Sequence, residues 1–303
     1  EDKDKAAASS AAEALAKAQV TAGPRLALFC GVGGLRAHWD EFLSALAFQD
    51  DDLADGWRRG LSRLHPYWML KHLSNNTQAE LARTLGAVGD GANFGGANAG
   101  AAALMAAIDC LADGAADAAL VVAYDSLIEP ETIVALAASG AVACCDVEAL
   151  TAAYSATPNG AIPGEAAAAL VLRRPADAPA QARLQATASA GPDALDRVAH
   201  FAQGSDFIDG SSAARRATDD AERAMLAPFV APTTPLIATQ AHLGHLGAAT
   251  ALVQSVLLAR MLERGETLPA SVAQSAMALI MRGGVSTESL TEWLRLLSTR
   301  TPT

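Results

Sequence analysis

The chain has 303 residues, 51% of them hydrophobic, and a formal net charge of -11. That is enough apolar sequence for one large core or two α/β halves, and it excludes a disordered chain. An acidic balance with no cluster of Lys and Arg excludes a sequence-independent grip on nucleic acid, which would neutralise phosphates with basic side chains.

The start, Glu1-Asp2-Lys3-Asp4-Lys5, reads as a charged helix lead-in rather than a signal peptide. Alanine-rich sequence from Ala6 to Val20 predicts a helix, and Gly23-Pro24 punctuates it before the apolar strand Leu26 to Cys30. Gly31, Gly33 and Gly34 then form a tight loop. Their spacing is superficially that of a dinucleotide fingerprint, but Arg36 stands where the third glycine belongs, so no nucleotide cofactor is expected. Trp39 to Leu46 reads as another helix. Gln78 to Leu85 is a helix closed by Gly86, and Gly91 to Gly96 a glycine-dense bend.

Ala99 to Leu111 predicts a small-residue helix closed by Asp113-Gly114. The continuous apolar run Ala118 to Ala123 predicts a strand buried on both faces, and Ala166 to Leu172 a second of the same kind. From Ala99 to Tyr124 the apolar sequence is broken by Asp109, Asp113 and Asp117, which argues against a membrane span. Beyond a Pro/Ala-rich passage from Pro175 to Pro179, strands at Phe207-Ile208 and Leu236 to Thr239 alternate with helices at Ala213 to Leu226 and Gly247 to Leu262. Short buried strands alternating with helices predict a mostly parallel sheet in α/β layers, and the two similar passes suggest two halves, 1–174 and 175–303. Cys30, Cys110, Cys144 and Cys145 form no CxxC pair, which fits a reduced, cytoplasmic compartment.

Several segments carry a family resemblance. Thr239 to Ala249, TQAHLGHLGAA, resembles the TKxxxGHxxGAAG segment of β-ketoacyl synthases. Pro163 to Leu172 is similar to their GEGAAALVLE strand, Ala115 to Ser126 to the strand that leaves the nucleophile helix, and His65-Pro66-Tyr67 through Asn75 to SPxxxPxxLxN. The ordered set covers almost the whole chain. It implies a thiolase-like α/β fold of two similar halves, with mixed sheets layered between helices (αβαβα). Glu1 to Gly34 aligns with family sequence that normally follows a first strand and its glycine turn, so that first strand is expected to be missing here.

In that family a cysteine at the start of a long helix attacks an acyl thioester, its thiolate favoured by the helix dipole. Two histidines support decarboxylation of a malonyl group, and a lysine orders the site. Counting back from Gly114 places the cysteine position on Ala97, or on Asn98 if the shortened Gly91 to Gly96 bend shifts the register by one. Neither is a nucleophile. With Phe207 to Ala213 in the place of YVNAHGT, the first histidine becomes Ser211; the lysine becomes Gln240, and the second histidine is retained as His245. Arg282 replaces the phenylalanine of a loop resembling FGGTN. The resemblance therefore implies a degenerate site, with Phe94, Asn98, His242 and Arg282 as candidates to line any remaining pocket.

Other chemistries fit the residues less well. His242 and His245 lie three apart but lack a third metal ligand nearby. Ser211 has no GxSxG elbow. Cys144-Cys145 lies in an irregular stretch without a helix start. The resemblance implies a dimer, with itself or a relative, through residues 91–111. The expected partners are an active ketosynthase and an acyl carrier protein in fatty-acid, polyketide or aryl-polyene synthesis, as for a chain length factor. Carrier proteins are acidic, so an acidic chain would need an arginine pair such as Arg58-Arg59 or Arg215-Arg216 to receive one. The alternatives are a thiolase-like adaptor encoded beside a type VI secretion effector, and an active condensing enzyme with an atypical site.

Overall fold

A computed structural model describes residues 2–33, 53–96, 98–142, 158–174 and 239–264, with short pieces at 208–209, 219–220, 223–224, 227 and 236–237. The expected helices at 39–46 and 213–226 lie largely or wholly outside the described residues, as do Ala97, Ser211, Arg282, Arg215, Arg216, Cys144 and Cys145.

The centre is a four-stranded sheet of β1 (Leu26–Val32), β2 (Gly91–Gly95), β3 (Ala118–Ser126) and β4 (Glu165–Arg173). Its spatial order is β2-β1-β3-β4. β2 and β3 run parallel to β1, while β4 is antiparallel to β3, pairing Ala118 with Arg173 and Ser126 with Glu165. Helices in chain order are α1 (Asp2–Ala18), α2 (Leu53–Leu61), α3 (Trp68–Lys71), α4 (Asn76–Leu85), α5 (Ala99–Ala112) and α6 (Pro130–Ala138). They continue with α7 (Gln240–Leu243) and α8 (Thr250–Arg264). Two short parallel strands, β5 (Ile208–Asp209) and β6 (Leu236–Ile237), form a separate pair.

Strand periodicity divides the core into two layers. Leu26, Leu28 and Cys30 of β1 join Ala118, Leu120 and Val122 of β3 against Ala7, Ala11 and Leu15 of α1 and Leu81 of α4. The alternate residues Ala27, Phe29, Ala119, Val121 and Ala123 face Ala103, Leu104 and Ala107 of α5 and Leu252 of α8. Ala7, Ala11 and Leu15 recur every four residues, the spacing that presents one helical face. Small side chains on both helices and strands let these layers approach closely, as the alanine-rich composition implies. Arg25, just before β1, closes the bottom of the sheet. Its Nη2 donates to Asp117 Oδ1 at 2.7 Å and to Gly114 O at 2.9 Å, and its Nη1 to Ala115 O at 3.0 Å.

Three expectations are corrected. Residues 91–95 are a strand, outermost in the described sheet, rather than a bend, because their backbone pairs in register with Leu28 to Val32. Glycine carries no strand signal of its own, so only the neighbouring strand reveals the element. β4 is not buried on both faces like β3: Ala168 alone is buried and Glu165 is exposed, since β4 is the last strand in the described sheet. The segment expected as one helix from 247 begins with a 3-10 turn, Gly247–Ala249, before α8.

Candidate functional site

The carboxyl ends of β1 and β3 converge with the amino end of α5. Glycines permit the approach. A Cβ on Gly31 would stand 2.5 Å from the backbone of Ala99 and Gly100, so β1 and the helix start touch through main chain. On the other side, a Cβ on Gly100 would overlap the carbonyl oxygen of Ala248. The helix start is thus held between the sheet and segment 245–249. Asn98 is the N-cap residue of α5, with no side-chain hydrogen bond to the first turn.

Segment 239–249 is positioned by main-chain and side-chain bonds. The His245 amide donates to Ile162 O at 2.7 Å, the Gly164 amide to His245 O at 2.9 Å, and the Leu127 amide to Gly164 O at 3.0 Å. Thr239 is fixed by Asp209, whose fully buried carboxylate accepts the Thr239 amide at 3.0 Å and its hydroxyl at 2.6 Å. The next residue, Gln240, is buried and brings Oε1 to 3.2 Å from Nδ1 of His245. With Oε1 as acceptor, Nδ1 carries the ring proton.

The structure therefore pairs Gln240 with His245, and brings the turn that follows them, at Ala248, against Gly100 at the start of α5. Phe94 is half-buried on β2 and packs against the core cluster that contains α5. His242 lies within α7. Ala97, Ser211 and Arg282 fall outside the described residues. Arg58 and Arg59 are exposed and both bond Asp55, at 2.6 and 3.3 Å, so their charge is shared with a carboxylate on the same helix. Among the described residues no group of three His, Cys, Asp or Glu is placed to hold a metal ion. No described helix is long and apolar enough to cross a membrane. Cys30 is enclosed in the sheet, where burial pushes its thiol up to about 12. Cys110, on α5, is likewise raised, by burial first and then by the nearby Asp90. Neither is a reactive thiolate.

Residues 4–178 match the model of the β-ketoacyl synthase N-terminal domain. The chain belongs to the β-ketoacyl synthase family. Solved structures agree on a thiolase-like ketosynthase fold. The ishigamide ketosynthase/chain length factor is similar with a TM-score of 0.69 and 19% identity, over 88% of this chain and 70% of that one. A β-ketoacyl synthase from Burkholderia phymatum STM815 gives 0.70 and 14%, over 87% and 70%. A type II polyketide synthase acyl-carrier protein in complex with its ketosynthase bound to the hexaketide gives 0.54 and 17%, over 81% and 70%. No curated protein matches the chain.

Within this β-ketoacyl synthase scaffold, two buried carboxylates escaped sequence reasoning. In the register expected from the sequence, Asp209 falls where the pattern YVNAHGT has asparagine, and that position was the available signal. Asp125, 5% exposed at the end of β3, gave none, because it reads as the polar end of an apolar run.

Proposed function

We propose that the chain is a ketosynthase-like subunit that no longer condenses acyl groups and pairs with an active ketosynthase, in the manner of a chain length factor. The observation that carries this is the Gln240–His245 contact. Where the family pattern has a lysine, a neutral amide accepts a hydrogen bond from the retained histidine. An amide brings no positive charge to favour a thiolate or an enolate. The assignment of Ala97 to the cysteine position adds to it, because α5 begins at Ala99 with Asn98 as its cap. A methyl or a carboxamide at the helix start supplies no nucleophile.

In this reading the two halves, 1–174 and 175–303, form one unit, and the chain dimerises through residues 91–111. β2 supports that, since its outer edge, unpaired among the described residues, offers main-chain donors and acceptors to a partner. Phe94, Asn98, His242 and Arg282 would line a residual pocket, and the subunit would act in the cytoplasm beside an acyl carrier protein.

The test is co-expression with a cysteine-containing ketosynthase and an acyl carrier protein. Stoichiometric co-purification is expected, together with no acyl transfer to this chain alone and no decarboxylation of malonyl thioester by it. Acylation of the isolated chain would overturn the inactive reading. Recovery with a secreted toxin in place of a ketosynthase would overturn the pairing.

A further inference from the structure

Asp125, next to last in β3, lies on the face that packs against α5 and α8, and its surroundings are built around a carboxylate. Oδ1 accepts the amide of Ser126 at 2.9 Å. Oδ2 accepts the amide of Ala248 at 3.0 Å, inside the 3-10 turn that opens α8. Two glycines make the hole it fills. A Cβ on Gly33, just past the end of β1, would overlap Cγ and both carboxylate oxygens, and a Cβ on Gly247 would overlap Oδ2. Gly247 also has φ +55, so the turn presents the Ala248 amide from a backbone conformation that favours glycine.

A buried carboxylate is costly unless donors replace its water. Here the donors include an amide of a helical first turn, whose N–H groups lack intrahelical partners and whose dipole favours negative charge. The carboxylate comes from residue 125 and the capped turn from residue 248, so the contact joins distant parts of the chain. Ala248 is also the residue whose carbonyl meets Gly100 at the start of α5. His245 lies three residues before it.

We propose that Asp125 is a positioning residue: its carboxylate clasps the turn at Gly247–Ala249 to the ends of β1 and β3, and so sets His245 against the amino end of α5. Gly33, Asp125 and Gly247 form one matched set. The proposal holds whether or not the chain condenses acyl groups.

Compensation in the full-length protein tests it. Gly33→Ala is expected to lower the urea midpoint sharply, and Asp125→Ala added to it to recover part of that loss, because the new methyl then has room. Additive losses would overturn the matched set. The positioning role is read on the ring of His245 by NMR of ¹⁵N-histidine-labelled protein, assigned with His245→Gln. Asp125→Asn, which keeps an acceptor for Ala248, should leave the ring signals near their native positions, and Asp125→Ala should move them. Unmoved signals in folded Asp125→Ala would reduce Asp125 to a packing residue.

Hydrogen exchange keeps the proposal testable if Asp125→Ala does not fold. Replacing a charged acceptor by a neutral one should speed exchange of the Ala248 amide by about tenfold. The Ala107 amide, deep in α5, should be unaffected. Equal protection of Ala248 in the native protein and Asp125→Asn would overturn the clasp.

Discussion

Glycines meet two opposite environments among the described residues, the junction at the ends of β1 and β3 and the rim at the carboxyl end of β2. At the junction, Gly31 and Gly100 lie where three backbones touch, and any side chain would collide with main-chain atoms. On the rim, Gly95 and Gly96 have no described atom within 4 Å of a would-be Cβ. The junction is a closed joint whose geometry is fixed from within. The rim is open among the described residues, and what it contacts must come from outside them. A glycine-dense segment can therefore mark a crowded centre or an empty edge, and only the neighbours tell them apart.

The largest expected effect lies at the junction. Gly31→Ala or Gly100→Ala pushes a methyl into backbone that no rotamer change can clear, so each should cost about 3 kcal/mol or lose the fold, read as a fall in urea midpoint. A cost under about 1 kcal/mol would mean that the joint is looser than its geometry implies.

The rim separates space from backbone conformation. Gly96 has φ +112, so Gly96→Ala should cost about 1–3 kcal/mol through strain alone, despite the open space around it. Gly95 has no such φ, and Gly95→Ala should stay within about 0.5 kcal/mol of the native stability. Gly95→Glu should likewise fold, yet reduce co-purification with a ketosynthase partner if that edge is the interface. Unchanged recovery of the partner would place the interface elsewhere.

The same contrast explains what the sequence revealed. α1, α4, α5, β1 and β3 were legible because each buries a continuous or evenly spaced apolar face, a property carried by the segment itself. β2 was not, since Gly-Ala-Asn-Phe-Gly becomes a strand only through its register with β1. β3 and β4 looked equivalent as apolar runs, but burial depends on sheet order: β3 has a strand on each side and β4 only one among the described residues. At the candidate site, one motif contains both Gln240 and His245, and the fold places the two in contact. Asp125 was not, because its meaning lies in Gly33 and Ala248, residues 92 and 123 positions away along the chain. Cues of that kind exist only after folding.

The smallest effect concerns the opposite end of the sheet, where an exposed ion pair replaces close packing. Asp117 bonds Arg25, and its carboxyl is held down to about 2, first by the Arg25 hydrogen bond and then by Arg174. An ordinary aspartate in the unfolded chain titrates near 3.9, so the folded form binds its proton less readily. Whatever this group contributes is therefore present above about pH 4 and lost as the pH falls toward 2. Both side chains are more than half exposed, which makes the contribution small and screened by salt. Asp117→Asn should flatten a minor part of the stability decline between pH 4 and 2, and the difference from the native protein should shrink in 1 M salt. A salt-independent difference would show that the charge on Asp117 contributes little and that its hydrogen bonds to Arg25 and Arg174 carry the effect.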